Sequence, residues 1–166
     1  MKYTAQQQTI IKEVKEYLKA IRSLKRERFH LLEEYNEDPS PHSPRFDETK
    51  GTSVSQIVRF NDYTQRRELL LKRIQLFDQE LNQFMLMTFL LPTRQRCIIE
   101  VYMEALSYEE MLDVLNDKYY ISTSTYKREL PEICLQLSQY IDYHQIPSLD
   151  DMNRKYLQMI QQMDLS

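Results

Sequence analysis

The stretch "LPTRQRCIIEVYMEALSYEEMLDVLNDKYYISTSTYKREL", Leu91–Leu130, decides the fold. Its apolar residues fall in short clusters at helical spacing, separated by polar turns, and predict three short helices. The first opens at Pro92, a residue suited to a first helical turn, and buries Ile98, Val101 and Tyr102. The second opens at Ser107 with Glu110 three residues on, a capping-box spacing, and buries Met111, Val114 and Leu115. The third begins in "ISTSTYKREL", Ile121–Leu130, where hydroxyls crowd against a lysine and an arginine. Taken alone, that segment reads as a solvated loop, a phosphorylation target or a helix start. The flanking apolar clusters favour a helix start, with Ser122 as the cap and Thr123, Ser124 and Thr125 in the first turn. Exposed amides and hydroxyls at a helix start suit phosphate. On the next turn Tyr126, Lys127 and Arg128 are expected to point outward, within reach of base edges or backbone. Pro131 is expected to kink this helix or to start a new one, leaving the reader short, because proline in a helix interior costs ~3 kcal/mol.

Composition narrows the class. Among 166 residues there is one glycine, Gly51, beside six prolines. Strand-rich folds need turns with positive φ, so a nearly glycine-free chain rich in helix formers predicts an all-α fold. Glycine-dependent phosphate loops and dinucleotide-binding turns are excluded for the same reason. The net charge is −3, and residues 92–143 carry 5 Lys+Arg against 9 Asp+Glu. An acidic middle counts against DNA, because long-range repulsion opposes the encounter. No apolar leader opens the chain and no apolar run is long enough to span a bilayer, so a cytoplasmic protein without membrane contact is expected. Cys97 and Cys134 read as buried reduced thiols. No metal-ligand spacing and no nucleophile–base constellation is legible, so neither a cofactor nor an enzyme is expected. The adjacent pairs Glu109–Glu110 and Asp150–Asp151 point apart on a helix.

Upstream, apolar residues at Ile10, Val14, Tyr17, Ile21, Leu24, Leu31 and Tyr35 step by three and four, with Arg28 filling the missing place. That is the seam of a helix packed along another helix. The lysines and glutamates on the rest of that helix read as a solvated surface. "NEDPSPHSPRFDETKGTS", Asn36–Ser53, has three prolines in six residues and reads as an irregular loop. A second long helix is expected from about Val54 to Leu91. Its seam is Leu70, Ile74, Phe77, Leu81, Phe84, Thr88 and Leu91, continued upstream by Phe60, Tyr63 and Arg67. The two helices fold back on each other or pair between subunits. The seam arginines Arg28 and Arg67 must find an acid or reach solvent. Arg59, Arg66, Arg67, Lys72 and Arg73 read as a mixed-charge surface rather than a phosphate stripe, since acids interleave with them. Downstream, Ser148 with Asp151 marks the start of a last helix. Its face of Met152, Tyr156, Met159, Ile160 and Met163 suits either the chain's own core or an adaptable contact with another protein.

Three segments follow: a long-helix region over 1–91 with an irregular loop at 36–53, a helix-turn-helix over 92–143, and a C-terminal amphipathic helix over 144–166. Leu91-Pro92, Arg94 and Arg96, Leu106-Ser107-Tyr108-Glu109-Glu110 and Ser122-Thr123-Ser124-Thr125-Tyr126-Lys127 together resemble the promoter-reading fourth region of bacterial sigma factors. The leading helix, the Ser/Pro loop and the second long helix ahead of that ending are similar to the ArpU/RinA-type late transcriptional regulators of phages and their satellite islands. The sigma-like part covers about 50 residues; the wider layout covers most of the chain. Three features depart from the sigma pattern. "NDKYY", Asn116–Tyr120, lengthens the turn where a single glycine is common, Leu112 stands where a small residue is usual, and Pro131 lies inside the third helix. The resemblance implies a sequence-specific, double-stranded-DNA-binding regulator in a bacterial host cell, most simply an activator of late or packaging genes. Ser122 to Arg128 would read the duplex and Arg94 and Arg96 would hold phosphate. Oligomers would form through the long helices. Two other readings stand beside it: an adaptor or sigma mimic that grips RNA polymerase, and the DNA-recognition subunit of a packaging terminase.

Overall fold

The computed structural model describes the backbone of residues 2–37 and 50–165, and the side chains of residues 2–37 and 57–164. All regular structure in them is helical, as composition predicts: α1 (Ala5–Glu37), α2 (Lys50–Thr88), α3 (Thr93–Glu104), α4 (Tyr108–Tyr119), α5 (Thr123–Leu137) and α6 (Leu149–Leu165). None of the described helices is long and apolar enough to cross a membrane.

The start of α1 is fixed by a reciprocal cap that apolar periodicity does not reveal. Thr4 Oγ1 accepts from the Gln7 amide at 3.2 Å, and Gln7 Oε1 accepts from the Thr4 amide at 3.0 Å. Val14, Tyr17, Ile21, Leu24 and Leu31 of the expected seam are buried, while Ile10 and Tyr35 are half-buried. Ile11 and Leu18 are buried too, because α1 packs on α5 as well as on α2. One helix with two neighbours needs a wider apolar face than a two-helix seam.

On α2 the seam lies where its spacing puts it. Ile74, Phe77, Leu81, Phe84, Thr88 and Leu91 are buried. α1 and α2 run in opposite directions within one chain. The Tyr17 and Phe84 rings lie 6.1 Å apart, Arg28 is ion-paired with Asp78, and Arg67 donates to the Tyr35 carbonyl at 2.6 Å. Both seam arginines are thereby answered, Arg28 by an acid and Arg67 by a carbonyl and the face of the Tyr35 ring, 3.8 Å from its guanidinium carbon. At that register the first turns of α2 extend beyond the end of α1, and Ile57, Val58 and Phe60 are exposed there. Of the loop expected over 36–53, Asn36 and Glu37 belong to α1 and residues 50–53 to α2; residues 38–49 lie outside the described residues.

α2 ends at Thr88, earlier than expected. The amides of Phe89, Leu90 and Leu91 donate to the carbonyls three residues back, tightening the last turn. Pro92 then sits at the cap of α3 with extended backbone, not inside the helix. α6 lies across α2: Lys155 pairs with Glu80 at 3.3 Å and Arg73 donates to Asn153 Oδ1 at 2.9 Å. Its Met152 is buried, Tyr156, Met159 and Ile160 are half-buried, and Met163 is exposed. Part of the methionine-rich face thus serves the chain's own core. A single apolar core draws on all six helices and continues across the Leu91-Pro92 junction.

Candidate nucleic-acid interface

The geometry of α5 is set by the turn before it. α4 continues through Asn116–Tyr119, so "NDKYY" is not a long turn; only Tyr120, Ile121 and Ser122 separate the two helices. The turn needs a left-handed residue, and Tyr120 supplies it at φ 56° and ψ 34°. The Leu115 carbonyl accepts from the Tyr120 amide and, at 2.9 Å, from the Ile121 amide. Buried Ile121 anchors the turn, while the Tyr120 ring stands 89% exposed.

Ser122 is the cap, as expected. Its Oγ accepts from the Thr125 amide at 3.2 Å and lies 3.0 Å from Thr125 Oγ1 and 3.2 Å from Ser124 Oγ. Ser107 does the same for α4, accepting from the Glu110 amide at 3.1 Å. The Glu110 carboxylate reaches back to the Leu106 amide at 2.8 Å. The amides of Thr123 and Ser124 open α5, where a helix has no internal acceptor for them. Thr123, Ser124, Lys127 and Arg128 are exposed, and Thr125 is half-buried. Lys127 and Arg128 make no hydrogen bond or ion pair with any described residue.

Tyr126 corrects the expectation that it faces outward: it is 5% exposed. It shares a helical face with Leu130, Ile133, Cys134 and Leu137, the face that enters the core. Its ring meets the Tyr108 ring edge-on at 6.3 Å, tying the first turn of α4 to α5. Burial, helped by Tyr108 and Tyr102, pushes its hydroxyl up to about 12. Of the two outcomes expected at Pro131, a new helix is overturned, because α5 runs unbroken from Thr123 to Leu137 through it. The helix is neither restarted nor cut short there.

Arg94 and Arg96 are on α3, and both are already engaged. Arg94 Nε lies 3.3 Å from the carboxylate of Glu129, whose side chain is only 15% exposed on α5. Arg96 Nε lies 3.6 Å from Glu100, and its guanidinium stands 5.0 Å from the Phe89 ring. Arg94 is thus brought to α5, but as the partner of an acid there; Arg96 is paired within its own helix. Gln95 between them is buried.

The turn between α3 and α4 carries a feature that residue spacing does not show. Arg22 Nη2 donates to the Ala105 carbonyl at 2.6 Å, Arg26 donates to the Leu106 carbonyl at 3.1 Å, and Lys25 pairs with Glu104 at 2.6 Å. Three cations of α1 clamp the residues leading into α4. Their positions on α1 are legible in the sequence, but their acceptors, two of them backbone carbonyls, are not.

The acids of 92–143 are not spread evenly. Glu100, Glu104 and Glu110 line a cleft of about 550 Å³ with Lys118 and Tyr119 between α3 and α4. From Ser122 to Arg128 there is no acid at all. Burial also pushes the Cys134 thiol up to about 12, whereas Cys97 is half-buried rather than buried. Among the described residues no group of His, Cys, Asp and Glu could hold a metal ion. No protein-family model, curated protein or solved structure matches the chain.

Proposed function

We propose that this chain is a DNA-binding transcriptional regulator in which α4 and α5 act as a helix-turn-helix and the first two turns of α5 read duplex DNA. One observation carries the reading: Ser122 caps a helix whose Thr123, Ser124, Lys127 and Arg128 face solvent, with both cations unengaged. Hydroxyls and amides at the helix start suit backbone phosphate, and long cations one turn later suit base edges. No acid lies from Ser122 to Arg128 itself, while the exposed acids Glu109, Asp113 and Asp117 sit on α4. Following the ArpU/RinA resemblance, the regulated genes are late or packaging genes of a phage or satellite, activated in the cytoplasm of a bacterial host. Because α1 and α2 pair within the chain, a homo-oligomer would use what that pairing leaves exposed, above all Ile57, Val58 and Phe60 at the start of α2. Enrichment of bound sequences from a randomised duplex library tests the reading. A defined site should emerge, and Lys127→Ala with Arg128→Ala should weaken binding to it by roughly 1–3 kcal/mol for each base edge no longer held. Failure to enrich any sequence refutes it.

The engagement of Arg94 and Arg96 by acids favours a second reading, in which the same fold grips RNA polymerase through protein contacts. Recovery of polymerase by the wild-type chain without any DNA selectivity would establish that reading in place of the first.

A further inference from the structure

Lys12, Lys15, Lys19, Arg22 and Arg26 recur on α1 at steps of three and four. Such steps place five cations along one face of a helix. Three of them border α5. Lys12, Lys15 and Lys19 line, together with Glu16, a groove of about 330 Å³ that reaches Pro131. Lys127 lies one turn before Pro131 on the same face of α5, so the row of lysines leads toward the face that carries Lys127.

The five cations divide by what they touch. Arg22 and Arg26 are committed to the Ala105 and Leu106 carbonyls. Lys12 and Lys15 make no ion pair or hydrogen bond with a described residue. Lys19 meets only Glu16, at 3.5 Å, and both side chains are more than half exposed, which makes a weak pair. Three cations against the one acid of the groove lining, two of them without a partner among the described residues, leave an excess of positive charge there.

We propose that Lys12, Lys15 and Lys19 form a rail that holds the phosphate backbone of the duplex that α5 reads. The inference rests on the proposed function. At 1.5 Å per residue, Lys12 to Lys19 spans about 10 Å, or roughly three base pairs at 3.4 Å each. Lysine suits the task, since a flexible point charge holds phosphate without demanding a fixed geometry. Continuity with Lys127 and Arg128 selects DNA over an acidic protein as the occupant. The rail adds affinity that is independent of sequence, whereas α5 adds discrimination.

The test compares wild type, Lys12→Gln/Lys15→Gln/Lys19→Gln, the same three positions changed to Arg, and Lys127→Ala/Arg128→Ala. Binding to a 30-base-pair mixed-sequence duplex and to the enriched site is followed by fluorescence anisotropy between 50 and 200 mM salt. Each phosphate no longer neutralised lowers the slope of log K against log salt by about 0.9. Removing all three cations means that raising salt fourfold weakens wild type about 40-fold more than the Gln variant. The Gln variant should lose affinity for both duplexes by the same factor, and the Arg variant should retain the slope. An unchanged slope in the Gln variant, with Lys127→Ala/Arg128→Ala still impaired, overturns the rail and leaves the proposed function standing. A wild type that binds neither duplex overturns both. If the Gln variant loses polymerase but not duplex binding, the lysines serve a protein partner and the rail is wrong. Should thermal melting show that the triple Gln variant fails to fold, Lys12→Gln/Lys19→Gln, which spares half-buried Lys15, decides the matter with a slope change of about two-thirds the size.

Discussion

Replacing Tyr126 tests which way α5 is turned, because an outward ring would belong to the proposed DNA contact and an inward ring to the core. At 5% exposure, truncation of this side chain is expected to cost ~3–5 kcal/mol, the range for deleting a buried aromatic. Tyr126→Ala should therefore be strongly destabilised. Tyr126→Phe keeps the ring and its edge contact with Tyr108, and should lie within about 1 kcal/mol of wild type at pH 8. The two chains should then part as pH rises. Burial pushes the Tyr126 hydroxyl from 10.0 to about 12, so the folded chain holds this proton more tightly than the unfolded chain. The resulting stability is fully present below pH 10 and is lost as pH climbs through 12. Two pH units correspond to ~3 kcal/mol, of which about 1 kcal/mol should be gone by pH 11. Tyr126→Phe escapes that loss, so its stability relative to wild type should rise by these amounts. The raised Cys134 thiol weakens both chains alike in the same direction and cancels in the difference. Urea unfolding followed by far-ultraviolet circular dichroism at pH 8, 10 and 11 is the assay; with no tryptophan present, tyrosine emission would change with the substitution itself. A cost below 1 kcal/mol for Tyr126→Ala, or a Phe variant that tracks wild type to pH 11, refutes the inward placement.

Two further substitutions probe the backbone on either side of that ring. Tyr120→Gly should raise stability by about 0.5–1 kcal/mol, because a non-glycine residue is held at φ 56° while its ring, 89% exposed, contributes little packing. A drop in the urea midpoint instead would show that the ring supports the fold. Pro131→Ala restores an amide that can donate to the Lys127 carbonyl inside α5, and should stabilise by ~1–3 kcal/mol in the same assay. Destabilisation would mean that the proline ring's packing against α1 outweighs the missing hydrogen bond.

Periodicity makes the long-helix seams legible, since steps of three and four fix a face whatever that face meets. It cannot show that α1 has two neighbours. Ile11 and Leu18 lie beside the seam and become core only because α5 crosses there. Caps are legible because they are local: Ser107, Ser122 and Ser148 each accept from an amide three residues on. Tyr126 misleads through company rather than spacing. It sits beside Lys127 and Arg128 in a hydroxyl-rich run, yet its periodic relation to Leu130, Ile133 and Cys134 already places it inside. The end of α4 is hard to read because glycine is the usual holder of a left-handed turn, and here Tyr120 holds it.

The acidic charge of 92–143 is a coarser guide than either. A segment's net charge says nothing about where its charges gather, and the field at a binding face falls off within about 10 Å at moderate salt. Glu100, Glu104 and Glu110 border the cleft between α3 and α4, Glu129 is spent on Arg94, and Glu109, Asp113 and Asp117 stay exposed on α4. The exposed start of α5 carries Lys127 and Arg128, and Lys12, Lys15 and Lys19 reach Pro131, one turn past Lys127, from a helix about 100 residues earlier in the chain. The lysines of α1 look like a solvated surface because acids interleave with them in sequence. Once the helix is formed and packed on α5, Lys12, Lys15 and Lys19 come to one groove beside Pro131, with Glu16 the single acid in its lining. The charge that bears on the proposed function is therefore a property of two packed helices and not of either segment alone.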